Sequence, residues 1–91
     1  MNNEMIYLIN ISTKLSSGVG DPMVIPSLQE IQVADATEMV KKSEILISSH
    51  REEVRKFLEI KEGWYILSAN VDIKMIGFGI IDPKIEIEES N

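Results

Sequence analysis

The run Met5-Ile6-Tyr7-Leu8-Ile9-Asn10-Ile11 constrains the fold most, because it is apolar at odd and even positions alike apart from Asn10. Side chains along a strand alternate between the two faces of a sheet, so such a run needs cover on both sides and reads as a central strand. A chain of 91 residues has material for one hydrophobic core, and residues 1–91 are expected to form a single domain. That core must be built by packing alone, since there is no cysteine. The same absence excludes disulfide staples, iron–sulfur clusters, thiolate zinc sites and cysteine nucleophiles.

The elements around this strand follow from spacing and turn chemistry. Ser16 to Pro22 collects serine, glycine, aspartate and proline and reads as a surface loop. Met23-Val24-Ile25 and Glu30-Ile31-Gln32-Val33 read as short extended pieces, with Pro26 marking an edge or a break between them. Val33, Ala36, Met39 and Val40 then recur at helical spacing. Acidic residues come early and Lys41 and Lys42 late in that stretch, as the helix macrodipole favours. Ile45-Leu46-Ile47 reads as a short buried strand, and Ser49-His50-Arg51-Glu52 as a capping box. The box would open a second helix, with Val54, Phe57 and Leu58 inward and Gly63 at its end. A β-rich half follows from Trp64 to Ile81, then an alternating edge strand Lys84 to Glu88 and an acidic tail at about residues 88–91. The expected class is α/β: a small mixed sheet flanked by two or so helices.

Charge narrows the partners. Fifteen acidic residues against nine basic ones give a net charge of −6, which disfavours bulk DNA or RNA as a ligand. The N-terminus has no basic segment ahead of an apolar one, and no stretch approaches the roughly 18–20 apolar residues of a membrane span. An intracellular protein that does not enter the membrane is expected.

Little chemistry is on offer. One histidine and no calcium-loop spacing predict no metal, and the absence of Gly-x-x-x-x-Gly-Lys and Gly-x-Gly-x-x-Gly predicts no triphosphate or dinucleotide cofactor. Glu52-Glu53 and Glu88-Glu89 read as solvated surface. His50 stands out because the capping box puts it at the first turn of a helix, where free N–H groups and the macrodipole attract an anion. There an imidazole would be placed to protonate a leaving oxygen of a bound phosphate. The alternative is a histidine that simply occupies a polar helix start.

Three stretches carry a resemblance. Met5 to Ser12 is similar to the opening Tyr-Leu-Leu-Asn-Ser type strand of the viral ring nucleases, the small type III anti-CRISPR proteins. Glu30 to Lys41 resembles their first helix, and Ile47 to Leu58 resembles their Ser-Ala-Ile-Gly-His segment with the helix after it. Asn70 to Met75 corresponds to their next strand. The resemblance implies a homodimer that binds cyclic tetra-adenylate and opens it without metal or cofactor, leaving 2′,3′-cyclic phosphate ends, in the host cytoplasm if the chain is viral. It implies His50 as the catalytic proton donor, with Asn10, Ile11, Ser12, Ser48 and Ser49 lining the ligand pocket. The chain departs from the family in carrying Ser49 where glycine precedes the histidine. It also lacks a counterpart of a Gln-Arg-Leu-x-Glu-Gly motif that supplies an arginine and a glutamate. These departures keep two alternatives in view: a sponge that holds the cyclic nucleotide without cutting it, and an interaction protein with no small-molecule site.

Overall fold

A computed structural model describes residues 3–80. The strand expected at Lys84 to Glu88 and the acidic tail expected at about residues 88–91 lie outside the described residues. The element order is β1 (Asn3–Ser16), β2 (Met23–Val33), α1 (Ala36–Ile60) and β3 (Tyr65–Ile80). The strands form one sheet in the order β2-β1-β3, so the apolar run is central as its pattern requires. Both pairings are antiparallel, where a mixed sheet was expected. A hairpin joins β1 to β2, while β2 and β3, joined through α1, run parallel to each other but are separated by β1, so no parallel pair is adjacent in the sheet.

The hairpin turns through residues 17–22, where Gly18 and Gly20 take φ of 83° and 81°. The Gly18 N–H donates to Ser16 Oγ at 2.9 Å and the Ser17 hydroxyl to the Val19 carbonyl at 2.7 Å, so the loop is tied to itself. The two short pieces expected at 23–25 and 30–33 are one strand, β2. Pro26 sits within it opposite Ser12. β2 is an edge strand, the position in a sheet where proline is tolerated, because alternate N–H groups there face away from the neighbouring strand.

Among the described residues only one face of the sheet carries a helix. Along β1 the odd positions Ile9, Ile11, Thr13 and Leu15 are buried, while Asn10 and Lys14 on the other face are exposed. Ile6 and Leu8 on that outer face are half-buried. Among the described residues the centre of the sheet therefore has cover on one side, where its apolar pattern suggested two.

The largest departure is α1. Residues 45–47 are helical, not a strand, and the two expected helices are one helix of 25 residues. Ile45 is 65% exposed. The inward stripe runs Met39, Ser43, Leu46, Ile47, His50, Val54, Phe57 and Leu58, each three or four residues from a neighbour on the same face. Ser43 and His50 are polar members of that stripe, and they disguise its continuity in the sequence. The Ser43 hydroxyl donates to the Val40 carbonyl at 2.9 Å, which lets it be buried. The helix begins one motif earlier than Ser49, with Asp35 as its N-cap accepting from the Glu38 N–H at 2.8 Å. Glu38 reaches back to the Ala34 N–H at 3.0 Å, completing a reciprocal cap. Lys41 and Lys42 fall in the second turn rather than the last.

The core joins Leu15, Ile25 and Val54, with Met23, Phe57, Leu58 and Trp64 packed against it. Phe57 and Trp64 meet edge to face at 5.6 Å between ring centroids, locking the end of α1 to the start of β3. Gly63, at φ 82°, makes the turn between them. The helix lies over β2 and β1, and much of β3 is left open.

Candidate functional site

Two facing stripes carry polar residues among their apolar ones, and the fold brings one from each together. Thr13 interrupts the apolar series Ile9, Ile11, Leu15 of β1, and His50 interrupts the stripe of α1. His50 Nε2 and Thr13 Oγ1 are 2.8 Å apart, with the residues 5% and 3% exposed. The pair satisfies the threonine hydroxyl and one ring nitrogen. Nδ1 is buried with no hydrogen-bond partner. If Thr13 donates to Nε2, the ring proton sits on Nδ1. If Nε2–H donates to Thr13, Nδ1 is an acceptor. In both tautomers Nδ1 has unused hydrogen-bonding capacity, and leaving a buried nitrogen unmatched costs about 1–3 kcal/mol.

Thr13 and His50 form part of the wall of a groove of about 430 Å³ between α1 and β3. Val54, Leu58, Ile66 and Ala69 give it an apolar lining, and Arg51 and Arg55 complete it. These are the only two arginines of the chain. Arg55 is bonded to Glu52 and Glu59 on its own helix. The hydrogen bond from Arg55 holds the Glu52 carboxyl below its ordinary range, and Glu52 in turn raises the guanidinium. Arg51 is exposed and has no ion pair among the described residues. A net-negative chain thus places both arginines beside an apolar slot, an arrangement suited to a ligand that is apolar in body and anionic at one end.

The residues singled out in the sequence are dispersed. His50 lines the groove, but it sits in the middle of α1, where backbone N–H groups are spent within the helix. The helix-start anion site is therefore not formed there. Ile11 is buried on the helix-facing side of β1 and does not line the groove. Asn10 and Ser12 point to the opposite side of the sheet from His50, opposite Asp72 and Asn70 of β3. Ser48 and Ser49 are exposed and border a separate shallow depression with Glu52, Glu53 and Lys56. The sequence reading missed Thr13. Its signal was present: a polar residue at an inward position needs a partner, and His50 is a buried polar side chain on the facing helix.

No family model, curated protein or solved structure matches this chain. Among the described residues no helix is long and apolar enough to cross a membrane, and no group of three or more His, Cys, Asp or Glu side chains is placed to hold a metal ion.

Proposed function

We propose that the groove between α1 and β3 binds a nucleotide, with His50 as its polar anchor and Arg51 beside the phosphate. The observation that carries this reading is the buried, unpartnered Nδ1 of a histidine lining an apolar slot. A base supplies the planar apolar body, a ring nitrogen or hydroxyl supplies the missing hydrogen bond, and a phosphate supplies the charge. The resemblance of Ile47 to Leu58 to the ring nucleases makes cyclic tetra-adenylate the specific candidate. A groove of about 430 Å³ has room for about one nucleotide unit, so a ring would insert one adenosine and leave the others at the mouth.

In the cutting version of this reading, a ribose 2′-OH attacks the adjacent phosphate and the P–O5′ bond breaks. His50 gives its proton to the departing oxygen, and the attacking hydroxyl loses its own to water. Among the described residues the groove lining contains no carboxylate to take that second proton, which favours the sponge over rapid turnover. The test is to incubate the full chain with cyclic tetra-adenylate and a chelator, quench, and separate ring from linear product. Linear product that disappears in His50→Ala supports cutting, and an intact ring recovered with the protein supports the sponge. A ring neither bound nor cut, together with no thermal shift from AMP, overturns the nucleotide reading.

A further inference from the structure

Among the described residues, β3 pairs with β1 on one side and with nothing on the other. Its regular stretch lies between two register shifts, one beside Leu15 and one beside Tyr7 of β1, and includes residues 68–75. On the face shared with α1 this stretch and its continuation present Val71, Ile73, Met75 and Phe78, which are 48%, 38%, 46% and 66% exposed. On the opposite face it presents Asp72 and Lys74, both exposed. An edge whose backbone groups have no strand partner among the described residues, beside an apolar face, is a template for another strand.

We propose that the occupant is a second copy of this chain, paired antiparallel through β3 about a two-fold axis at Ile73. The argument is self-complementarity. In a two-fold contact, if residue i meets residue j, then j meets i, so a single strand must supply both halves of every pair. Antiparallel partners also share a face, which restricts the axis to a few registers. Centred at Ile73, Asp72 of each copy meets Lys74 of the other, giving two opposite-charge pairs on the outer face. Val71 meets Met75 twice and Ile73 meets itself on the inner face. Centred at Asp72 or at Lys74, like charges would stand opposite each other. Centred at Val71, both charges would face uncharged side chains and Ile73 would meet only Ala69. The Ile73 register alone matches charge with charge and apolar with apolar. It extends the sheet to six strands in the order β2-β1-β3-β3-β1-β2.

Within the chain, Asp72 lies opposite Asn10 and Lys74 opposite Leu8, so exchanging the two charges breaks no internal ion pair. The experiment is sedimentation equilibrium of the full chain over a wide concentration range, for the parent, Asp72→Lys, Lys74→Asp and the double exchange. A dimer is expected for the parent. Each single reversal should weaken it by about ten-fold, since two attractive cross-strand pairs become two repulsive ones. The double exchange should restore it. Circular dichroism on the same samples separates loss of pairing from loss of fold. As a second readout, Ile73→Cys in this cysteine-free chain should give a covalent dimer on mild oxidation, and Ser68→Cys should not. A monomeric parent, a dimer indifferent to the single reversals, or a double exchange no better than either single one overturns the proposal.

Discussion

Replacing Thr13 by valine tests the arrangement on which the candidate site rests. The substitution preserves shape and removes one hydroxyl, which His50 Nε2 approaches at 2.8 Å. In the parent the imidazole has one nitrogen matched and one not. In Thr13→Val both are unmatched inside a residue that is 5% exposed, so the cost is the desolvation of a second buried polar atom, about 1–3 kcal/mol. For a domain of this size that lowers Tm by about 4–8 °C per kcal/mol. His50→Leu leaves the threonine hydroxyl unmatched but also removes the orphaned Nδ1, so its cost should be smaller. The double variant replaces the polar pair by an apolar one and should recover most of the parent stability, because neither partner is left stranded.

The assay is urea unfolding followed by circular dichroism, with all four proteins at one concentration, because self-association would shift apparent stability. The expected coupling is at least about 1 kcal/mol, in the sense that the double variant is more stable than the two single losses predict. Two results would refute the reasoning. One is a Thr13→Val variant within about 0.5 kcal/mol of the parent, which would mean that the hydroxyl does not serve the imidazole. The other is additivity within about 0.3–0.5 kcal/mol, which would mean that the two side chains do not share a bond.

Leu15→Ala should cost about 2–5 kcal/mol, because Leu15 is fully buried, whereas Ile45→Ala should stay within about 0.5 kcal/mol on an exposed helix face; chemical denaturation of both variants checks the contrast. A large loss at Ile45 would revive a buried strand there. Asp35→Ala should cost about 0.5–2 kcal/mol by removing the cap, while Ser49→Ala, inside the helix, should be neutral or slightly stabilising. The reverse order in thermal melts would place the helix start at Ser49. The Glu52 carboxyl should titrate below an ordinary glutamate in a carbon-detected NMR titration, and Arg55→Ala should move it back up. Its folded pKa is depressed, so the small stability it contributes is present above the unfolded pKa and fades as pH falls through the folded one. A Glu52 midpoint unchanged in Arg55→Ala would contradict the ion pair.

The parts of this fold that could be read from sequence were those whose pattern is local and redundant. The central place of Met5 to Ile11, the turn at Ser16 to Pro22 and the stop at Gly63 each rest on residues whose geometry permits few alternatives, whereas Pro26 left an edge and a break equally open and lies within one continuous edge strand. The course of residues 43–60 was misread because two matching motifs compete. Asp35-Ala36-Thr37-Glu38 and Ser49-His50-Arg51-Glu52 both fit a capping box, and only the first is used. What decides between them is tertiary. Ser43 and His50 can lie on the inward stripe only because Val40 and Thr13 accept or supply their hydrogen bonds, and one of those partners is 37 residues away in sequence. The same long-range pairing turned His50 from a residue at a helix start into a buried one in a groove. It also separated His50 from Asn10 and Ser12, whose odd spacing from Thr13 assigns them to the other face of β1.

One deficit of cover connects the groove to the open strand. A single helix spans about 37 Å at 25 residues and lies over β2 and β1, so the inner face of β3 receives little of it. At one end of β3 the gap is bounded by Ile66 and Ala69 and becomes the groove beside His50. Further along, Val71, Ile73 and Met75 continue the same face with no helix above them among the described residues. Ala69 and Val71 are only about 7 Å apart along the strand. A nucleotide in the groove and a second chain at the edge would therefore bear on adjacent backbone. If the proposed ligand draws β3 toward α1, it changes the strand that the second copy must match. Linkage then requires that any tightening of the dimer by the ligand be returned as an equal tightening of the ligand by the dimer. Ligand titrations at protein concentrations above and below dimer dissociation would expose that reciprocity, and identical affinities at both would show that the two surfaces act independently.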